Sequence, residues 1–251
     1  MVGAAACLEG RVVTRKPRAG SRADATGRDA LVSEFVESWR GLDGDAWIVR
    51  GGRDEVRRTI VEAVSIMCED GGPKAHRRVL AWATADLAAL ELPGLLAEQG
   101  WEHVSWPSGP VGGAGPVGTA GVAVARDVPG AKAADPIPAE LVTLAAASDL
   151  GITTCSWAVA ETGTIALYAT PATGRLPSLL PSAHLALVRP SQVVKTVPDG
   201  LRLLADDMAR EGGPPSAVNL VSGPSRSADI EGDLAVGVHG PRRAGVIVGE
   251  W

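Results

Sequence analysis

Two hydrophobic periods alternate along the chain. Leu31, Phe35 and Trp39 recur at helical spacing and predict a first helix over 29–40. Residues 46–50, AWIVR, read as a strand. A helix over 53–69 follows, with Val56, Ile60, Val64 and Met67 on one face and Gly71-Gly72-Pro73 closing it. The alternation repeats with a strand over 78–84, a helical stretch over 86–99 interrupted at Pro93, and a strand over 102–106. A Gly/Pro loop over 107–118 leads to a strand over 119–126. Asp135, Pro136 and Pro138 then open a helix that ends near Leu150. Short strands flank Glu161, and 185–189 is a further strand. Asp199 is placed as the cap of a helix carrying Leu201, Leu204, Ala205 and Met208, stopped by Gly212-Gly213. Residues 217–222 and 244–251 are the last strands. This order predicts an α/β fold of three layers, with a mostly parallel sheet covered by helices on both faces.

Composition narrows the function classes. The 251 residues are 45% hydrophobic and carry a formal charge of −5, which argues against nucleic acid as a partner. Cys7, Cys68 and Cys155 are scattered without a CxxC spacing. That fits a reducing, cytoplasmic location and excludes a self-contained four-cysteine iron–sulfur cluster. Cys7 follows three alanines, but no apolar core precedes them as a lipoprotein signal requires. No run reaches the roughly 18 apolar residues of a membrane helix, so no membrane partner is expected. Residues 1–28 hold Arg11, Arg15, Lys16, Arg18, Arg22 and Arg28 without an apolar period. They are assigned to a flexible basic tail, and 29–251 to a single domain.

Glu161 is the only charged side chain between Asp149 and Arg175. A carboxylate inside such an apolar stretch costs several kcal/mol unless a donor meets it or it takes up a proton. Thr162 and Gly163 follow, supplying a hydroxyl and a sharp turn. One reading is a site at a strand end. The other is an acid capping an exposed hairpin turn.

A second polar cluster, SGPSRSADIEGDLAVGVHGP, occupies 222–241. Ser222, Gly223 and Ser225 favour a loop whose amides face an anion. Arg226 offers a planar fork for a carboxylate or phosphate, and His239 offers an imidazole for proton transfer. The plainer alternatives are an Arg226–Asp229 pair that stiffens the loop and a hydrogen-bonded turn role for His239. Asp229, Glu231 and His239 match no zinc or two-metal spacing, so no metal site is predicted.

Other motifs are set aside. Gly113, Gly115 and Gly118 fit GxGxxG, but they lead into a β-rich stretch and Pro116 removes an amide. Residues 223–227 lack the final glycine of a nucleophile elbow. His184 is expected to satisfy a backbone group.

The strings AETGTIAL (160–167), RLPSLLPSAHLALV (175–188), SGPSRSADIE (222–231) and GVHGP (237–241) closely resemble the lactate-utilisation (LUD) domain family, in particular its lactate utilization protein C subfamily. Ser227 stands where threonine is expected. The resemblance implies a three-layer fold like glucosamine-6-phosphate deaminase, ribose-5-phosphate isomerase and the CoA transferases. It also implies a place in a multi-subunit system oxidising L-lactate to pyruvate, in which partner subunits carry iron–sulfur clusters and this chain binds no cofactor of its own. The catalytic candidates are Glu161, Arg226 and His239. Thr162, Gly163, Ser222, Gly223, Ser225 and Asp229 are candidates for binding a small carboxylate or other anion. Two alternatives stay open. One is a stand-alone CoA-transferase-like or phosphosugar-isomerase-like enzyme using Glu161. The other is a non-catalytic interaction module.

Overall fold

A computed structural model of the chain describes residues 22–69, 76–106, 139–170, 172–211, 213–228, 234–237 and 239–251. The elements run α1 (Arg22–Arg40), β1 (Asp45–Ile48), α2 (Arg53–Cys68), β2 (Arg78–Trp82), α3 (Ala85–Ala88), α4 (Leu92–Ala97), β3 (Glu102–Trp106), α5 (Ala139–Ala146) and β4 (Leu150–Thr154). There follow β5 (Trp157–Val159), β6 (Thr164–Ala169), α6 (Leu176–Leu179), β7 (Ala183–Val188), a 3-10 turn (Pro190–Gln192) and β8 (Val193–Val194). The last are α7 (Val197–Glu211), β9 (Ala217–Val221), β10 (Arg226–Ala228), β11 (Leu234–Val236) and β12 (Arg243–Val248).

Among these, six strands form one sheet in the order β1-β12-β7-β4-β2-β3, with every pairing parallel. Its central strands are apolar because both faces are covered: β4 and β7 are buried throughout. Glycines mark the two covers. A Cβ at Gly245 would meet Met67 of α2, whereas one at Gly151 would strike the Pro177 carbonyl of α6. Gly245 and Ile152 both align with Leu185, and Gly151 lies one position away, so α2 and α6 cover opposite faces. The α/β class and the mostly parallel sheet expected from the alternation are present.

The strands around Glu161 build something else. β5 and β6 pair antiparallel, as a short connection requires, and join β8 and β9 in a second sheet of order β8-β5-β6-β9. One face of it, through Ala158, Ile165 and Leu167, belongs to the main core. The other, through Trp157, Val159 and Ala166, receives Val197 and Leu203 of α7. Trp157 donates to the Tyr168 hydroxyl at 2.8 Å, and Tyr168 donates to Asp207 of α7 at 3.2 Å.

Element boundaries differ from the sequence reading in physically simple ways. α1 begins at Arg22, so residues 22–28 continue the helix, while 1–21 lie outside the described residues. The helix after Pro138 stops at Ala146. The Asp149 carboxylate accepts the Arg78 amide at 3.0 Å, and Leu150 already belongs to β4. α7 is capped by Thr196, whose hydroxyl accepts the Asp199 amide at 3.4 Å. Asp199 returns its carboxylate to the Thr196 amide and hydroxyl at 3.2 and 2.7 Å, a reciprocal capping box. The strand expected over 119–126 and the glycines at 113–118 lie outside the described residues.

His184, expected to satisfy a backbone group, instead shares a 2.9 Å hydrogen bond with the Thr153 hydroxyl of the neighbouring strand. Both are buried in the sheet. Burial lowers the His184 pKa to about 4. An unfolded histidine takes up its proton near pH 6.5, so the unfolded state binds more protons between that pH and about 4. The contribution of His184 is therefore whole above pH 6.5 and is lost on acidification through that window. Urea melts at pH 7 and pH 4.5 should show a smaller pH-dependent loss of stability in His184→Gln than in the wild type.

Candidate functional site

The two polar clusters meet, and hydroxyls join them. β6 pairs antiparallel with β9, setting Ile165 opposite Val221. Thr164, at the start of β6, therefore lies beside Ser222, which leaves β9. The Thr164 hydroxyl is 2.8 Å from that of Ser222 and 2.8 Å from that of Thr162, a continuous chain of three. The backbone on both sides turns through glycine: Gly163 has φ 58° and Gly223 has φ 78°.

Both turns close on the same segment, the carboxyl-terminal end of α1 and the turn that follows it. A Cβ on Gly163 would lie 2.6 Å from the Trp39 nitrogen and 2.7 Å from the Ser38 carbonyl carbon. One on Gly223 would lie 2.9 Å from both the Cβ and the carbonyl oxygen of Leu42. Arg226 adds a hydrogen bond to the Leu42 carbonyl and an ion pair with Asp43. Ser225 donates its amide to the Pro241 carbonyl at 3.0 Å and accepts the Gly237 amide at 2.9 Å. His239 is exposed in that same turn.

Glu161 takes the second of its two readings, an acid at an exposed hairpin turn. It is exposed, not carried into the apolar interior. The apolar residues around it belong to β5 and β6, and the turn between them presents the acid to solvent. Its Oε1 accepts the Val197 amide at 3.2 Å, at the first turn of α7, where unpaired amides favour a negative charge. Arg226 likewise pairs with Asp43; Asp229, the local partner considered from sequence, lies outside the described residues.

The place of this seam in the fold also departs from expectation. In an open parallel sheet ligands gather outside the carboxyl ends of the strands, and a site at Ser222 is expected there. Ser222 does leave the carboxyl end of β9, but β9 belongs to the mixed sheet. Relative to the parallel sheet the seam sits at the amino ends. Pro241 precedes β12, Asp43 precedes β1, and Arg243 and Asp45, the first residues of those strands, pair at 3.0 Å.

The carboxyl ends hold residues that the sequence reading passed over. Arg189 makes a bidentate, half-buried pair with Asp86 at 2.9 and 3.1 Å, and lies 4.2 Å from the centre of the Trp251 ring. Cys155 is buried beside Gln192, whose Nε2 donates to the Cys155 carbonyl at 2.5 Å. Burial pushes its thiol upward, so it stays protonated at neutral pH. Trp82 donates to the Gly174 carbonyl at 2.8 Å. An arginine, an acid and a tryptophan far apart in the chain give no joint signal before the fold brings them together.

Residues 55–248 match the model of the LUD domain. Lactate utilization protein C 1 of Bacillus mycoides is 42% identical over 109 residues, covering 43% of this chain and 47% of that protein. Lactate utilization protein C of Halalkalibacterium halodurans is 44% identical over 110 residues, covering 44% of this chain and 48% of that protein. The matches span about half the length of these relatives. The crystal structure of a DUF162 family protein from Deinococcus radiodurans superposes with a TM-score of 0.53 at 25% identity, over 88% of this chain and 97% of the other. Among the described residues no helix is long and apolar enough to cross a membrane.

Two substitutions read out this geometry. Gly163→Ala combines a left-handed backbone with a collision against helix backbone, and should cost about 2–3 kcal/mol in urea unfolding. Gly100→Ala shares the positive φ of 72°, but its Cβ would meet nothing nearer than 3.9 Å, so about 1 kcal/mol is expected. Glu161→Ala removes a carboxylate from the start of α7 and should cost about 0.5 kcal/mol by the same measurement, Glu161→Gln less.

Proposed function

The chain belongs to the LUD domain family, and from that premise we propose that it is a component of an L-lactate utilisation system whose iron–sulfur subunits oxidise lactate to pyruvate. The identity with relatives named lactate utilization protein C carries this reading, and it supports a role in lactate utilisation. The subunit holds no cluster of its own. Three cysteines in the sequence are fewer than the four thiolates a typical cluster takes, so electrons leave lactate through partner subunits. The chain serves the system by docking to those partners and by holding a small carboxylate.

The geometry that favours a carboxylate is the Arg226 fork beside the Ser222–Thr164–Thr162 chain. Arg226 already binds one carboxylate, that of Asp43, whose side chain is 80% exposed. An exposed pair of this kind is worth little, so a substrate carboxylate of the same shape can displace it. The neighbouring hydroxyls suit a 2-hydroxyl or 2-oxo group. Glu161 and His239, both exposed at the margins of the seam, are the groups placed to exchange a proton with solvent.

Co-expression with candidate iron–sulfur subunits, followed by affinity purification and lactate-dependent dye reduction, tests the assignment. The chain should co-purify and raise the rate. A chain that neither joins the complex nor alters the rate is not part of that system. In the assembled complex Arg226→Ala should raise the KM for lactate by about tenfold. An unchanged KM moves the carboxylate away from Arg226 while leaving the pathway intact.

A further inference from the structure

Four strands lie at the edges of the two larger sheets, and three of those edges are protected. β1 begins with Asp45, and Arg40 donates to its Ala46 carbonyl at 2.6 Å. β3 begins with the exposed Glu102. β8 is two residues long, and Lys195, next after it, pairs with Glu34 of α1. Charge, shortness and cover are the usual devices that stop a sheet from growing by another strand. β9 has none of them among the described residues. It ends the order β8-β5-β6-β9, and its five residues, Ala-Val-Asn-Leu-Val, include no charge and no proline.

The register shows which groups this edge presents. Ala166 of β6 turns its carbonyl toward β5, where the amide of Ser156, just before that strand, donates to it at 2.8 Å. Leu220, opposite Ala166 on β9, therefore makes no backbone hydrogen bonds to β6, and its N–H and C=O point outward. Val218, two residues earlier, repeats that orientation. Among the described residues no strand pairs with this outer side of β9. The side chains are incompletely covered as well. Leu220 shares a face with Ala166, which belongs to the cluster packed under α7, yet Leu220 is 52% exposed. Leu201 of α7 is 50% exposed. These are the most exposed large hydrophobic side chains among the described residues, and both lie in the layer formed by α7 and the mixed sheet.

A second copy of the same strand fits this edge. Antiparallel pairing about a two-fold axis at Asn219 sets Val218 opposite Leu220 of the partner subunit, and Ala217 opposite Val221 of the partner subunit. The outward N–H and C=O groups of Val218 and Leu220 then meet their counterparts across the axis. Asn219 meets its own copy at the closely spaced position between them. An amide both donates and accepts, so two copies of Asn219 complement each other, as two identical charges could not. The Asn219 side chain has no hydrogen-bond partner among the described residues. Each copy carries a formal charge of −5, and an uncharged strand is where two such copies meet with least repulsion. We propose that β9 is the interface of a homodimer, in which two copies pair β9 with β9 antiparallel about Asn219 and join their mixed sheets into one continuous sheet. This pairing does not depend on the lactate assignment.

Sedimentation equilibrium of the full chain reads the mass directly, and twice the 25.7 kDa of one chain is expected. Leu220→Lys puts a charge on the edge at an exposed position, and should leave the chain monomeric at concentrations where the wild type is dimeric. Val142→Lys, a comparable surface substitution on α5, should leave the dimer unchanged. Far-UV circular dichroism checks that each variant is folded. Asn219→Cys tests the register. Opposed Cα atoms at such a position lie about 4.5 Å apart, within disulfide reach. Mild oxidation should therefore give a reducible covalent dimer that the wild type, with its own cysteines, does not form. A monomeric wild type overturns the proposal, whether β9 stays bare or another segment of the same chain covers it. So do a dimer that survives Leu220→Lys and a dimer in which Asn219→Cys fails to cross-link.

Discussion

The carboxyl-terminal end of α1 is gripped from two directions by glycine turns, and most of what surrounds the polar clusters follows from that grip. Gly163 approaches the backbone at Ser38 and Trp39, and Gly223 approaches Leu42, both at distances that leave no room for a Cβ. Trp39, fully buried at this point, donates its indole N–H to the Asp45 carbonyl at 3.0 Å. The end of α1 and the turn after it thus bind the mixed sheet, through β6 and β9, to the first strand of the parallel sheet. Positive φ at both glycines makes the requirement one of backbone geometry as well as space.

That grip decides the roles open to the polar residues. With Gly163 turned inward against the helix, Glu161 and Thr162 are turned outward. Glu161 reaches the first amide of α7, that of Val197, instead of an interior partner. Arg226 is drawn to the Leu42 carbonyl and Asp43 by the same convergence, since Gly223 sets the loop on Leu42 and β10 starts three residues later. The seam is built of groups with structural obligations. A ligand here competes with Asp43 for a fork; it does not enter a vacant cavity.

Much of the fold was legible in the sequence, because the apolar period is a direct consequence of burial. Val56, Ile60, Val64 and Met67 form the buried face of α2, and the stretch interrupted at Pro93 became α3 and α4 on either side of a left-handed Glu91. The contact between the two clusters was not legible, because it follows from the pairing of β6 with β9, strands about fifty residues apart. What misled was Glu161. Its flanks are apolar because β5 and β6 are buried, and an average over that window hides the reversal of direction at the turn, where one residue faces water while its neighbours do not. The antiparallel character of that hairpin followed from its short connection, but its separation into a second sheet depended on pairing with β8 and β9, which lie far along the chain. His184 and Thr153 illustrate the same limit: their pairing depends on register between adjacent strands, and neither residue's local sequence encodes it.

The two ends of the parallel sheet divide the work in opposite ways. At the amino ends charges are matched: Arg243 with Asp45, Arg226 with Asp43, and Asp149 with the Arg78 amide. Those contacts tie crossover loops to strand starts. At the carboxyl ends one pair, Arg189 with Asp86, is equally closed and stacked on Trp251. At the same end of the sheet, among the described residues, the buried Trp106 indole N–H at the end of β3 has no hydrogen-bond partner. The polar clusters conspicuous in the sequence hold the scaffold together, and apolar-looking residues at the strand ends carry the unmet hydrogen bonds.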